Sequence, residues 1–557
     1  MAIDLPPALP PQLVASASYQ DTAVSRASYI QGQIDTTEIR VVGNRYLSTE
    51  AVERIIKQSQ LPSDAIIGLA NEYYKTGHLL VKLRYFRVDN RITILVNQYT
   101  LSDVRGNPQA KNHFEGLIGD SDLTAAEFDR ARVLADLQAR RAGIDYSYSY
   151  QEQPDTKQVV LTLQAHALKD NDATDYIAEL NNSGSRYIGR YFGLAGIKHR
   201  SAIGSEYAFS YQSAFTELGE SADGDSLHQF SASADHPFRY GLYGIELAYS
   251  NYERRPPSED SANNNCALLG LLCLGASANT PENTRLEADI IQLALRGQQI
   301  VYSSPKQRFT VSERIEYVNS VIEQSEDGSK LLDERYSAAA IDLKYTRATA
   351  PTGSSLSIGL NSRFGLSGGG TLDSYDSFDQ RYQEQNPNAG ASPDLAPAAR
   401  SAHFVALQPS ISYQLPLPYD LAFSTQLKSQ FANKQLPEQE QFVLGGISSL
   451  SAYLPGALIG DEGYYWKLAL SQTWTWRDIN LQPSVFIEHG GAWFNDTRSS
   501  AGNAQTISDI GVALNINFSS VLQSQLVTAY ALADDVQDQE NLKRLEADIY
   551  WRIRLEL

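Results

Sequence analysis

From about residue 172 to the C-terminus the helical spacing of apolar residues disappears and an alternation of period two takes its place. At the end of the chain, Leu545, Ala547, Ile549, Trp551, Ile553, Leu555 and Leu557 alternate with Glu546, Asp548, Tyr550, Arg552, Arg554 and Glu556. Upstream, Ile510, Val512, Leu514, Ile516 and Phe518 alternate with Gly511, Ala513, Asn515 and Asn517, and similar stretches fall at Tyr207–Tyr211, Tyr243–Tyr249 and Val405–Tyr413. Successive side chains of a strand point to opposite faces, so each stretch has one apolar and one mixed face. A strand spanning a membrane at a tilt needs about 9–11 residues, and the C-terminal run exceeds that without a break. The alternation predicts that odd positions from Leu545 to Leu557 face lipid and even ones an interior. Short connections (Asp235–Gly241, Ser304–Arg308, Pro416–Asp420, Arg477–Asn480) alternate with long polar ones near 251–285, 367–401 and 496–506. That rhythm belongs to an outer-membrane β-barrel.

The N-terminal third follows other periods. Residues 36–97 predict strand, helix, helix, strand, strand: Glu38–Val42, a helix capped by Ser48 with Val52, Ile55 and Ile56 on one face, a second with Ile66, Leu69, Ala70 and Tyr73 stopping at Gly77, then strands near Leu79–Phe86 and Arg91–Asn97. Residues 98–167 repeat the plan, with Leu101–Arg105 ending at Gly106, a capping box from Thr124 to Glu127, a helix through Val133, Leu134 and Leu137, and strands carrying Tyr146, Tyr148 and Tyr150, then Val159, Leu161 and Leu163. Residues 1–35 form a Pro-rich segment, with a helix over Leu13–Tyr29 the one element it admits.

Charge and composition narrow the functions. A net charge of −19 offers no basic face for nucleic acid. No run of eighteen apolar residues occurs, which excludes a helical span but not a barrel. The start, MAIDLPPALPPQ, has neither a basic nor an apolar leader region, so any secretory signal is expected to be missing from this numbering. Cys266 and Cys273 would close a small disulfide loop in an oxidising compartment and stay thiols in a reducing one. Gly365-Leu366-Ser367-Gly368-Gly369 has the letters of a nucleophile elbow but no helix to follow it, and the eight histidines form no metal-binding spacing. The chain reads as a non-enzyme, without cofactor, metal or nucleotide site.

One stretch joins two β-like segments yet is too long for a hairpin and too apolar for an idle surface loop: FVLGGISSLSAYLPGALIGDEGYYW, from Phe442 to Trp466. It resembles the inward-folded loop of the outer-membrane transporters of two-partner secretion, in the Omp85 superfamily, whose pattern is F-x-x-G-G-x-x-S-[VL]-R-G-[YF] followed by G-D-x-G. Phe442, Gly445, Gly446, Ser449, Leu450, Tyr453, Gly460, Asp461 and Gly463 match, whereas Ser451 stands for the arginine and Ala452 for the next glycine. Phe486, Glu488 and Gly490 resemble the family's F-x-D-x-G, whose carboxylate meets the loop arginine. YIAELNNSGSRYIGRYFGLAGI resembles its first strand through Asn182, Gly184, Ser185, Arg186, Gly189 and Arg190, and the tandem modules resemble POTRA domains.

The resemblance implies a sixteen-stranded barrel over 172–557, about twenty-four residues per strand with its loop, two POTRA domains at 36–97 and 98–167, and a loop over about 442–463 folded into the lumen. It implies a monomer set in outer-membrane lipid and lipopolysaccharide, with POTRA domains in the periplasm, that exports an unfolded partner polypeptide without nucleotide hydrolysis. The alternatives are an insertase of the same superfamily and a passive pore or adhesin. With serine at 451, the resemblance leaves Glu488 either a hydrated lumen residue or a partner of Arg186, Arg190, Arg552 or Arg554, and the loop is expected to be held mainly by packing of Tyr453 and Leu454.

Overall fold

The structure is a computed structural model that describes residues 28–153, 156–168, 172–184, 189–215, 226–254, 285–304, 306–325, 328, 330–349, 353–373, 400–495, 504–519, 521–536 and 539–557. The calls on Cys266, Cys273, Ser185, Arg186 and most of the Leu13–Tyr29 helix lie outside these residues. Tyr29 itself sits in a strand, not a helix.

Two α+β modules come first. In the first, β1 (Tyr29–Ile34), β2 (Thr37–Val42), β3 (Val81–Val88) and β4 (Arg91–Gln98) form one sheet in the order β1-β2-β4-β3, with β2 and β4 parallel. Helices α1 (Thr49–Gln58) and α2 (Pro62–Lys75) cover it through Val52, Ile56, Ile66 and Leu69, which pack on Ile39, Val41 and Ile94. Strand β1 is an addition to the expected plan: the hairpin at Asp35 lets Gln31 and Ile30 pair with Arg40 and Val41. In the second module, β5 (Thr100–Arg105), β6 (Ile144–Gln153) and β7 (Gln158–Ala167) take the order β5-β7-β6 under α3 (Pro108–Phe114) and α4 (Ala125–Arg141). The capping box at α4 is made in both directions, Glu127 N–H to Thr124 Oγ1 at 3.3 Å and Thr124 N–H to Glu127 Oε2 at 2.9 Å.

The rest is a closed antiparallel barrel of sixteen strands. In order they are Thr174–Asn181, Tyr191–Arg200, Glu206–Phe215, Ser226–Phe238, Gly241–Arg254, Leu286–Ser303, Gln307–Gln324, Lys330–Thr349, Ser354–Gly370, Val405–Leu417, Leu421–Ala432, Glu462–Gln472 continued by Trp474–Trp476, Ile479–Trp493, Gln505–Phe518, Leu522–Asp535 and Tyr550–Glu556. The last strand closes on the first, Arg552 opposite Asn181 through Glu556 opposite Ile177. Alternation sorts the faces: Ile315, Tyr317, Ile341, Leu343, Val485 and Ile487 are exposed outward, while Arg314, Glu316, Arg363 and Glu488 point in and are paired there. Gly365–Gly370 lies inside a strand, so no nucleophile elbow forms.

Helix α4 sets the second module against the barrel. Arg141 bonds Asp235 (2.5 Å) and lies 3.5 Å from Glu206, and Gln138 Nε2 donates to the Ile203 carbonyl at 2.9 Å. The end of the barrel with the short connections therefore faces the modules.

The C-terminal alternation is only partly used as expected. Ile549, Ile553 and Leu557 are exposed and Tyr550 is buried, but the strand begins at Tyr550, and Leu545 and Ala547 are 2% and 4% exposed. They turn inward, after a short helix α5 (Gln539–Arg544), to pack on Leu454, Phe486 and Val527.

Candidate functional site

The connection between the eleventh strand (Leu421–Ala432) and the twelfth (Glu462–Gln472) is the inward loop. Phe442–Leu444 pairs with Leu458–Gly460, so the loop descends as a short hairpin with residues 445–457 at its tip. Gly445 and Gly446 start the tip with φ of 108° and 96°, and a Cβ on Gly445 would stand 2.1 Å from the Leu454 carbonyl oxygen. Ser449 donates its hydroxyl to Gly445 O at 3.3 Å, and Gly446 N–H bonds Tyr453 O at 2.8 Å. Leu444, Leu450, Ala452, Tyr453, Ala457 and Leu458 are then buried together with Tyr465, Ala492 and Ile507 of the wall. Opposite them, Gly490 gives room: a Cβ there would press on Leu444 and Leu450, each at 3.1 Å. Gly460 and Gly463 flank Asp461 where the loop rejoins the wall.

At the tip the expected arginine–carboxylate pair is replaced by a different arrangement. Ser451 N–H donates to Glu488 Oε2 at 2.7 Å and Ala452 N–H to Asp509 Oδ2 at 2.8 Å. Glu488 and Asp509 are opposite one another in adjacent strands, and both are fully buried, so Glu488 is not a hydrated residue. The cation comes from the wall: Lys467 is cross-strand to Glu488, with Nζ 2.6 Å from Oε1 and 4.0 Å from the Phe486 ring centroid. Tyr465 OH donates to the same Oε1 at 2.6 Å. Arg552 and Arg554 do not serve; Arg552 is exposed and Arg554 lies near Glu179 and Glu556. Arg190 forms no ion pair among the described residues. The Ser451 hydroxyl contributes nothing either: Ser451 Oγ, Tyr453 OH and Asp509 Oδ1 are buried without a hydrogen-bond partner among the described residues. The tip is thus held by packing, as expected, and also by two main-chain N–H groups on two carboxyls.

At its foot the loop is tied more heavily. Asp461 accepts from Leu436 N–H (2.8 Å) and Asn495 N–H (2.9 Å), stapling both ends of the loop to the connection after the thirteenth strand. Burial pushes the Asp461 carboxyl up to about 6, against those two donors. Arg363 of the ninth strand bonds Glu440 through Nε (2.6 Å) and Nη2 (2.5 Å), and bonds Glu316 as well. Tyr336 OH and Gln430 Nε2 add bonds to Glu440, and Glu334 joins Arg400 (3.0 Å) to the Glu438 N–H (2.8 Å).

Lys467, Tyr465 and Asp509 had no motif to announce them. Their only sequence signal is parity, an inward position in an alternating strand, and parity does not give the register that brings them to Glu488.

A family model described as haemolysin secretion/activation protein ShlB/FhaC/HecB matches residues 279–518. Over those residues this chain is similar to that family. Among similar proteins, the heme/hemopexin transporter protein HuxB of Haemophilus influenzae strain 86-028NP is 26% identical over 121 residues, and that of strain Rd 24% over 143. These alignments cover 21% and 25% of the relatives' lengths and 21% and 23% of this chain. CdiB from Escherichia coli has the same fold, with a TM-score of 0.69 at 15% identity over 97% of this chain and 96% of that one. CdiB from Acinetobacter baumannii gives 0.63 at 15% over 96% and 91%.

Proposed function

We propose that this chain is an outer-membrane transporter of two-partner secretion, with its N-terminal modules in the periplasm, and that it exports a partner polypeptide, received unfolded there, through the barrel to the cell surface without nucleotide hydrolysis. The observation that carries the reading is the loop itself: a hairpin of the chain's own residues fills the lumen and is anchored there by buried polar contacts that a passing chain would have to displace. A permanently open pore has no use for such a plug. The receiving end is supported by two sheet edges with no strand partner among the described residues, β3 of the first POTRA-like module and β6 of the second, bridged by Lys82 and Glu152 at 2.7 Å. An extended polypeptide adds to such edges by main-chain hydrogen bonds. Docking of α4 on the barrel through Arg141 and Gln138 keeps that platform at the mouth.

The test is secretion of a co-expressed partner polypeptide. Deleting residues 36–167 is expected to abolish its appearance at the surface while the barrel stays folded, judged by heat-modifiable migration. Undiminished secretion supports a passive pore instead. A general loss of outer-membrane proteins on depletion of the full chain supports an insertase.

A further inference from the structure

The sixteenth strand is shorter than its sequence. Its alternation runs from Leu545 to Leu557, yet only Tyr550–Glu556 is strand, and pairing with the fifteenth strand stops at Val527 opposite Tyr550. The fifteenth strand continues for eight residues, Thr528 to Asp535, with the fourteenth as its only ladder partner among the described residues. Its outward residues there are bare, Tyr530 at 76% and Leu532 at 50% exposed. An unpaired strand edge at membrane depth leaves N–H and C=O groups with no water to satisfy them. The residues that would pair with it are instead bonded to the loop tip. Leu454 N–H donates to Leu545 O at 2.6 Å, Ala547 N–H to Ala452 O at 2.8 Å, and Tyr550 OH to Tyr453 O at 2.6 Å.

We infer that residues 545–549 have two alternative β-partners, the loop tip and the free edge of the fifteenth strand, so that loop withdrawal and closure of the barrel seam are one exchange. Extending the existing register sets Ile549 against Thr528, Ala547 against Tyr530 and Leu545 against Leu532. All six then face outward, and the pairing needs no slip, which would invert every side chain. Glu546 and Asp548 turn to the lumen opposite Ala531 and Ala529, small side chains that leave room for them. The junction already stands at the branch point: Thr528 Oγ1 donates to Asp548 O at 2.8 Å. On its other edge the sixteenth strand is held by Asn182, just past the first strand, whose side chain accepts from Trp551 N–H (2.7 Å) and donates to Ile549 O (2.8 Å). While the tip is in the lumen, the upper seam stays unzipped. When the tip leaves, its two main-chain bonds to 545 and 547 are lost and five residues regain a ladder.

Disulfide trapping in the full-length chain, with Cys266 and Cys273 changed to Ser, separates the two pairings. Tyr530→Cys with Ala547→Cys reports the zipped seam, Tyr453→Cys with Glu546→Cys the loop-bound state, and Leu526→Cys with Trp551→Cys, paired in both, the folded barrel. Replacing Ile447–Gly456 by a Gly-Ser linker is expected to raise the 530/547 cross-link about tenfold or more with the 526/551 yield unchanged. The milder Leu454→Pro/Tyr550→Phe chain, which removes two of the three bonds to the loop, is expected to raise it in the same direction and keeps the test valid if the linker variant misfolds. A 526/551 cross-link with no rise at 530/547 in either variant overturns the exchange. So does efficient 530/547 cross-linking in a chain already locked at 453/546.

Discussion

The inward loop is fastened at two places by opposite means. At the foot, Glu440 of the loop meets Arg363 of the wall in a two-pronged bond shared with Glu316, and Arg400 holds Glu334 close by. At the tip the charges all belong to the wall, and the loop meets those carboxyls with the N–H groups of Ser451 and Ala452. An arginine fork on carboxylates gives both directionality and charge compensation. A neutral N–H on a carboxyl gives a hydrogen bond without compensating the charge. Of the two buried carboxyls at the tip only Glu488 meets an ammonium, that of Lys467, among the described residues, where Ser451 Oγ, Tyr453 OH and Asp509 Oδ1 have no hydrogen-bond partner. The loop is therefore built as a hinged arm, fixed where it leaves the wall and releasable at its end.

Breaking the foot is expected to do the most damage. Arg363→Ala leaves Glu316 and Glu440 buried without their shared guanidinium, a loss of about 3–5 kcal/mol. The unfolding midpoint of the barrel in urea is expected to fall accordingly. An unchanged midpoint would show that the foot is not the stronger anchor. At the tip, Lys467→Ala is expected to cost less, about 2–3 kcal/mol, because Tyr465 and the Ser451 amide still reach Glu488. Its signature is easier opening of the loop, read as more frequent conducting events in planar bilayers, with little change in barrel unfolding.

Acidification sharpens the contrast in the other direction. The Asp461 carboxyl titrates near 6, above its ordinary value of 3.8, so the folded chain holds that proton more tightly than the unfolded one. Stability then rises as pH falls through 6 towards 3.8, by about 1.4 kcal/mol per unit in that window, and is flat below it. Asp461→Asn is expected to erase this rise. The same pH profile in both chains would assign the titration elsewhere. The smallest expected effect comes from the tip: Ser451→Arg with Ala452→Gly puts a guanidinium beside Glu488 and Asp509 and is expected to steady the loop by about 1–2 kcal/mol, seen as fewer conducting events.

Much of this was legible in the sequence because barrels and helices write periods into it. Strands such as Gln505–Phe518 and Val405–Leu417 show in the alternation, the number sixteen came from the family resemblance, and the caps at Ser48 and Thr124 follow from residue type and spacing. Phe442, Gly445, Gly446, Asp461 and Glu488 could be placed at a loop–wall contact by motif. Register could not. Nothing in the letters sets Lys467 against Glu488, or Glu488 against Asp509, since pairing depends on how distant strands align around the barrel. The thirteen-residue alternation at the C-terminus misled for a different reason: it suits a fully zipped strand, whereas the structure spends Leu545 and Ala547 on the loop. Asn182 was visible as a motif residue, but its task of capping the last strand needs the closed barrel to be seen.

The hinged-arm account rests on the tip opening before the foot, and amide hydrogen exchange of the full-length chain in lipid nanodiscs measures that directly. The donors to compare are Ser451 and Ala452 at the tip with Leu436 and Glu438 at the foot, all four bonded to buried carboxyls. The account predicts that the tip amides exchange about tenfold or more faster than the foot amides, and that Lys467→Ala widens the gap. Equal protection at both places, or a foot that exchanges first, would contradict it.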